Sequence, residues 1–132
     1  MYSEKVMEHF KYPRNMGEMK NPDGVGTEGN PTCGDVMTLY IKVKENKIAD
    51  VKFQTYGCAA AISVSSLLTE MIKGKTISQV LKIKSEDVVK ALGGLPQIKY
   101  HCSVLGLEAL RAAIADYKSR KEKKIKAGKA EK

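Results

Sequence analysis

Residues 37–54 constrain the fold more than any other stretch. Met37, Leu39, Ile41 and Val43 alternate with Thr38, Tyr40, Lys42 and Lys44, the two-residue period of a strand with one buried face. A second run puts Ala49, Val51 and Phe53 on one face and Asp50, Lys52 and Gln54 on the other, and residues 45–47 join the two runs as a hairpin. A hairpin with one apolar face must be covered, so the rest of the chain has to supply the cover.

Helical patterns supply it. Residues 59–73 carry Ile62, Leu67, Leu68, Met71 and Ile72 and stop at Gly74, where a helix C-terminus is expected. Residues 76–83 and 85–92 read as two short helices, each opened by a hydroxyl residue, Thr76 and Ser85, with Gly93 and Gly94 ending the second. The longest helix is expected from about Ser103 to Lys121, with Leu107, Leu110, Ile114 and Tyr117 on one stripe. Near the start, Ser3 caps a helix with Tyr2, Val6 and Phe10 on one face, and Pro13 ends it. Residues 11–30 read as irregular chain with a short edge strand over 25–28. The fold class is therefore α+β: a small antiparallel three-stranded sheet with helices packed on one face and a long C-terminal helix.

The length of 132 residues suits one domain, expected over residues 1–117, followed over 118–132 by a basic helix end and tail. The net charge of +8 is concentrated there: residues 118–132 hold eight basic and two acidic side chains, which leaves the remainder at only +2. A nucleic-acid-binding surface needs its cations on the folded body, so no nucleic-acid partner is expected. Residues 54–69, within the longest uncharged stretch, are too short to span a membrane and are broken by Gly57, Cys58 and hydroxyl side chains, so no membrane partner is expected either. The first residues lack the apolar run of an export signal. The three cysteines are then expected as reduced thiols in a cytoplasmic protein.

Those cysteines carry the chemistry. Cys33 lies in Asn-Pro-Thr-Cys-Gly-Asp before the first long strand, Cys58 in Tyr-Gly-Cys-Ala after the second, and Cys102 in Tyr-His-Cys-Ser at the mouth of the last helix. All three sit at element ends, where a helix N-terminus favours thiolate at Cys58 and Cys102, and Gly57, Ala59, Ala60 and Ala61 leave space for a bound group. Three thiolates need a fourth donor to complete a tetrahedral zinc or a pair of sulfide-bridged irons. Asp35 and His101 are both candidates. An aspartate oxygen is a hard donor, poorly matched to iron–sulfur chemistry, and would make a cluster easier to release. His9 has no cysteine near it and is read as an ordinary helix residue.

The set Cys-Gly-Asp, Tyr-Gly-Cys and His-Cys-Ser, with Tyr-Ser-Glu-Lys-Val and Pro-Arg-Asn-Met-Gly near the start and Ala-Ala-Ile-Ala-Asp-Tyr-Lys near the end, resembles the IscU/NifU N-terminal family of iron–sulfur cluster assembly scaffolds. The resemblance implies a scaffold, not a turnover enzyme, that builds [2Fe–2S] clusters from iron and from sulfur delivered by a cysteine desulfurase, and passes them to apo iron–sulfur proteins. It implies Cys33, Cys58 and Cys102 as ligands with Asp35 or His101, Cys102 as persulfide acceptor, zinc as an occupant of the cluster-free site, and Tyr2 in a homodimer contact. Relatives served by Hsp70 and J-protein chaperones carry Leu-Pro-Pro-Val-Lys where this chain reads Leu95-Pro96-Gln97-Ile98-Lys99, and loss of the second proline removes part of the fixed extended shape a chaperone would bind. The rival readings are a zinc-dependent sulfurtransferase, whose related branch carries an insertion absent here, and a protein-interaction domain acting through its basic tail.

Overall fold

The computed structural model describes residues 3–30, 35–57, 59–95 and 100–130. The expectations at Tyr2, Cys33 and Cys58, and at residues 96–99, lie outside them. The elements are α1 (Glu4–Lys11), β1 (Gly24–Asn30), β2 (Asp35–Lys44), β3 (Lys47–Tyr56), α2 (Ala59–Ile72), α3 (Ile77–Val80), α4 (Ser85–Ala91) and α5 (Tyr100–Ala130).

The three strands form one antiparallel sheet in the order β1-β2-β3. Met37, Leu39, Ile41, Val51 and Phe53 are fully buried on its covered face, as the alternation predicts. At the turn, Glu45 and Asn46 both have positive φ, the geometry of a tight two-residue hairpin between the paired Lys44 and Lys47. One expectation fails there. The register shifts between Lys42 and Val43, so that Val43 pairs with Ile48 and Ala49 is left without a partner. This β-bulge turns Ile48 into the core and Ala49 outward. On the β1 side of β2, the Val43 N–H donates to the Asp23 carboxylate at 2.8 Å.

The expected edge strand extends over all of β1, because α5 lies directly on it. The α5-facing positions of β1 are Gly24 and Gly26. A Cβ on Gly26 would collide with the Ala109 carbonyl oxygen and the Ala113 nitrogen, and one on Gly24 with the Ala113 carbonyl oxygen. Further along, Asp116 bonds the Val25 N–H at 2.9 Å and pairs with Arg120, whose guanidinium also bonds the Pro22 carbonyl. The far edge of the sheet is covered by residues 15–17, where Phe53 N–H bonds the Asn15 carbonyl and Gly17 N–H bonds the Phe53 carbonyl. Both edges are thereby partly blunted against intermolecular pairing.

Ser3 caps α1 as expected, accepting from Val6 N–H, and its hydroxyl also bonds the Leu92 carbonyl beyond α4. Val6 is buried, but Phe10 is 40% exposed and His9 takes its place, because His9 rather than Phe10 shares the face that meets α2. Thr76 and Gln79 form the expected capping box of α3. For α4 the expectation is off by one: Lys84, not Ser85, is the N-cap, and Asp87 bonds the Lys84 N–H. The last helix starts at Tyr100 and runs past the expected end near Lys121 to Ala130. Leu107, Leu110 and Ile114 are buried along it.

Gly26→Ala should lower unfolding stability by about 2 kcal/mol, the scale of a forced displacement in a packed interior. An unchanged urea midpoint would show that β1 and α5 do not meet through their backbones.

Candidate functional site

The direction of α5 follows from its contacts. A Cβ on Gly106 would lie 3.7 Å from Met37 Sδ and 3.2 Å from Val64 Cγ1, whereas Ala109 and Ala113 meet Gly26 and Ala113 and Tyr117 meet Gly24. Gly26 pairs with Leu39 and Gly24 with Ile41, so α5 descends alongside β2 in the same sense. Its first turn therefore stands at the end of the sheet where β2 begins at Asp35. The same end is where Tyr56, paired with Val36, closes β3 and where Ala59 opens α2.

Asp35 is the first residue of β2, pairing with Asn30, and His101 and Cys102 belong to the first turn of α5. Cys102 is fully buried. Cys33 and Cys58 lie outside the described residues, as do their contacts. Among the described residues no three His, Cys, Asp or Glu side chains form a metal-binding group. Ala60 and Ala61 of α2, two of the small residues next to position 58 in the sequence, are fully buried in the core.

Sequence reasoning missed a polar seam between α1 and α2. Ser63, Ser66 and Thr69 of α2 are buried, and Ser63 bonds the Val6 carbonyl at 2.6 Å. Ser66 Oγ accepts from Arg14 N–H at 2.8 Å and lies 2.8 Å from His9 Nδ1, so its own proton can serve the ring. That arrangement leaves His9 Nε2 to face Glu70 at 3.5 Å. Asn15 bonds Thr69 at 3.0 Å. Arg14 pairs with Glu8 at 2.7 Å and holds that carboxyl below its usual range. The signal for this seam was available in the hydroxyl residues set into an otherwise apolar helix. His9 is thus tied into the seam between α1 and α2.

Burial, followed by the nearby Arg14 cation, pushes the His9 pKa below 6.5, with Glu70 and Glu8 opposing. The unfolded chain then takes up a proton that the folded chain resists. The stability contributed by neutral His9 is complete above about pH 6.5 and is lost as pH falls toward the folded-state value. Urea midpoints should fall between neutral and mildly acidic pH, and His9→Asn, which keeps a polar group near Ser66 without titrating, should flatten that fall. Cys102 should react with iodoacetamide far more slowly in the folded protein than in denaturant, read by peptide mass mapping. Equal rates would contradict its burial.

Comparison with known proteins agrees with this architecture. The family described as "NifU-like N terminal domain" matches residues 1–124. An Archaeoglobus fulgidus protein described as iron–sulfur cluster assembly scaffold protein IscU 1 is 62% identical over 128 residues, covering 96% of this chain and 84% of its own. The Escherichia coli K12 protein described as iron–sulfur cluster assembly scaffold protein IscU is 51% identical over 127 residues, covering 93% and 98%. A crystal structure from Fervidobacterium islandicum, described as a cluster assembly scaffold for the SUF system, superposes with a TM-score of 0.71 at 29% identity, covering 85% of this chain and 95% of that one. The chain belongs to the NifU-like N-terminal domain family.

Proposed function

We propose that this protein is a scaffold on which an iron–sulfur cluster is assembled and from which it is handed to apo-proteins. The observation that carries the reading is the shared end of the sheet: β2 begins, β3 ends, and α2 and α5 begin there, so the chain segments bearing Cys33, Cys58 and Cys102 are all tethered to it. Its relatives' descriptions as scaffold proteins point the same way.

In this reading Cys33, Cys58 and Cys102 are the thiolate ligands of a [2Fe–2S] cargo, with Asp35 or His101 as fourth donor. A desulfurase partner presents a persulfide. The Cys102 thiolate attacks its outer sulfur, a new S–S bond forms on Cys102, the old S–S bond breaks, and the desulfurase thiolate leaves. Two electrons cleave the new S–S bond, releasing the outer sulfur as sulfide and restoring the Cys102 thiolate. Two such rounds supply the two bridging sulfides; of the four electrons needed, two come from the two ferrous ions as they become ferric and two from an external thiol or ferredoxin-type reductant. Because Cys102 is fully buried, the first turn of α5 must open before the attack. The donor set also suits zinc when no cluster is present. Exchange at the oxygen or imidazole donor allows release to an acceptor. No helix among the described residues is long and apolar enough to cross a membrane, and we assign the protein to the cytoplasm, where thiols stay reduced. A homodimer contact at Tyr2 and dependence on Hsp70 and J-protein chaperones belong to the same reading, the latter weakened by Gln97.

Anaerobic incubation with ferrous iron, cysteine, dithiothreitol and a desulfurase should give visible sulfur-to-iron charge-transfer absorption with iron and sulfide in equal amounts. A protein that keeps zinc, and forms no cluster after zinc is removed, would instead be a sulfurtransferase. Cys102→Ser should abolish the mass gain of one sulfur atom on peptides containing that position. Asp35→Ala should slow transfer to an apo-ferredoxin by about tenfold, the scale of a changed donor at a metal site; faster transfer would exclude a role for the aspartate in release.

A further inference from the structure

Between α4 and the first turns of α5 lie two adjoining hollows, of about 270 and 250 Å³, which share Ser85, Glu86 and Val104. Val89 and Leu107 are buried beneath them, while Val104 is 44% exposed, so the two hollows share an open apolar wall. Three cations border the hollows: Lys84, Lys90 and Arg111, all exposed. None of them is in an ion pair among the described residues. Glu86 is the one acid lining either hollow.

This combination selects its occupant. A small anion would gain nothing from Val89 and Val104, and a purely apolar segment would leave three cations without counter-charges. A polyphosphate chain would meet Glu86 and an apolar floor. A segment with apolar side chains on one face and carboxylates flanking them satisfies both halves of the groove. Ser103, which lines the larger hollow, follows Cys102 directly, so whatever sits there lies against the first turn of α5.

We propose that the α4–α5 groove is the docking site of an acidic amphipathic helix from a partner protein, with apolar anchors on Val89, Val104 and Leu107 and carboxylates against Lys84, Lys90 and Arg111. The proposal stands apart from cluster chemistry, since it predicts binding whether or not a cluster can be assembled.

The test uses the full chain with labelled valine and leucine methyl groups, titrated by NMR with a synthetic helical peptide carrying Leu at i and i+4 among Glu residues. Saturable shifts centred on Val89, Val104 and Leu107 are expected. The double variant Lys84→Glu/Arg111→Glu should weaken binding by about tenfold or more, the scale of reversed charges at an interface. Val104→Ser, at an exposed helical position, should weaken it without touching charge, which keeps the test valid should the double variant fold poorly. The proposal is overturned if a Leu-free Glu peptide or a Lys-for-Glu peptide binds equally well, or if the shifts centre elsewhere. Tighter binding of a short RNA or of anionic vesicles at the same methyls would also overturn it. So would methyl shifts that depend on protein concentration without peptide, since the occupant would then be a second copy of the chain.

Discussion

The structure depends on how closely a helix can approach a strand. Where β1 offers only hydrogens, at Gly24 and Gly26, the backbone of α5 around Ala109 and Ala113 comes into direct contact with it. Any side chain on that face of β1 would lift the helix off the sheet. The contact is anchored one turn later by Asp116 and Arg120, which grip the start of β1 through Val25 and Pro22. With its middle held there, α5 has one course along β2, and its first turn arrives where β2 begins. The position of Cys102 is a consequence of packing more than ten ångströms away along the helix.

The other side of the core is joined by different physics. Between α1 and α2 the contacts are hydroxyl, imidazole, guanidinium and carboxylate groups, with Val6 as the main apolar contribution of α1. Hydrogen bonds of this kind specify geometry strongly and add modest net stability, since each exchanges with water when the helix leaves. They also respond to pH through His9. The α4–α5 groove differs from both: Val104 is exposed in it, and Lys84, Lys90 and Arg111 are in no ion pair among the described residues.

Much of this was legible from the chain. The alternation over residues 37–44 placed β2 correctly, Ser3 and Thr76 marked two helix starts, Gly74 and the Gly93-Gly94 pair marked two stops, and the stripe Leu107, Leu110 and Ile114 is buried as expected. The failures have local causes. Ala49 and Ile48 exchanged faces because a bulge is invisible to a strict two-residue period. Phe10 and His9 exchanged burial because the partner surface on α2 is polar, and hydrophobicity alone cannot anticipate that a histidine will be the better fit.

What the sequence determined by itself was the class of fold, an apolar hairpin that needs helices over it, and a candidate ligand set of thiols, a carboxylate and an imidazole. These follow from residue type and short spacing, which are local properties. Which end of the sheet each helix begins from, that Cys102 is enclosed, that His9 serves the core and that Val104 is left uncovered were decided only by the tertiary structure. Each depends on how closely two backbones distant in sequence can approach, and that distance is set by side chains on both partners together.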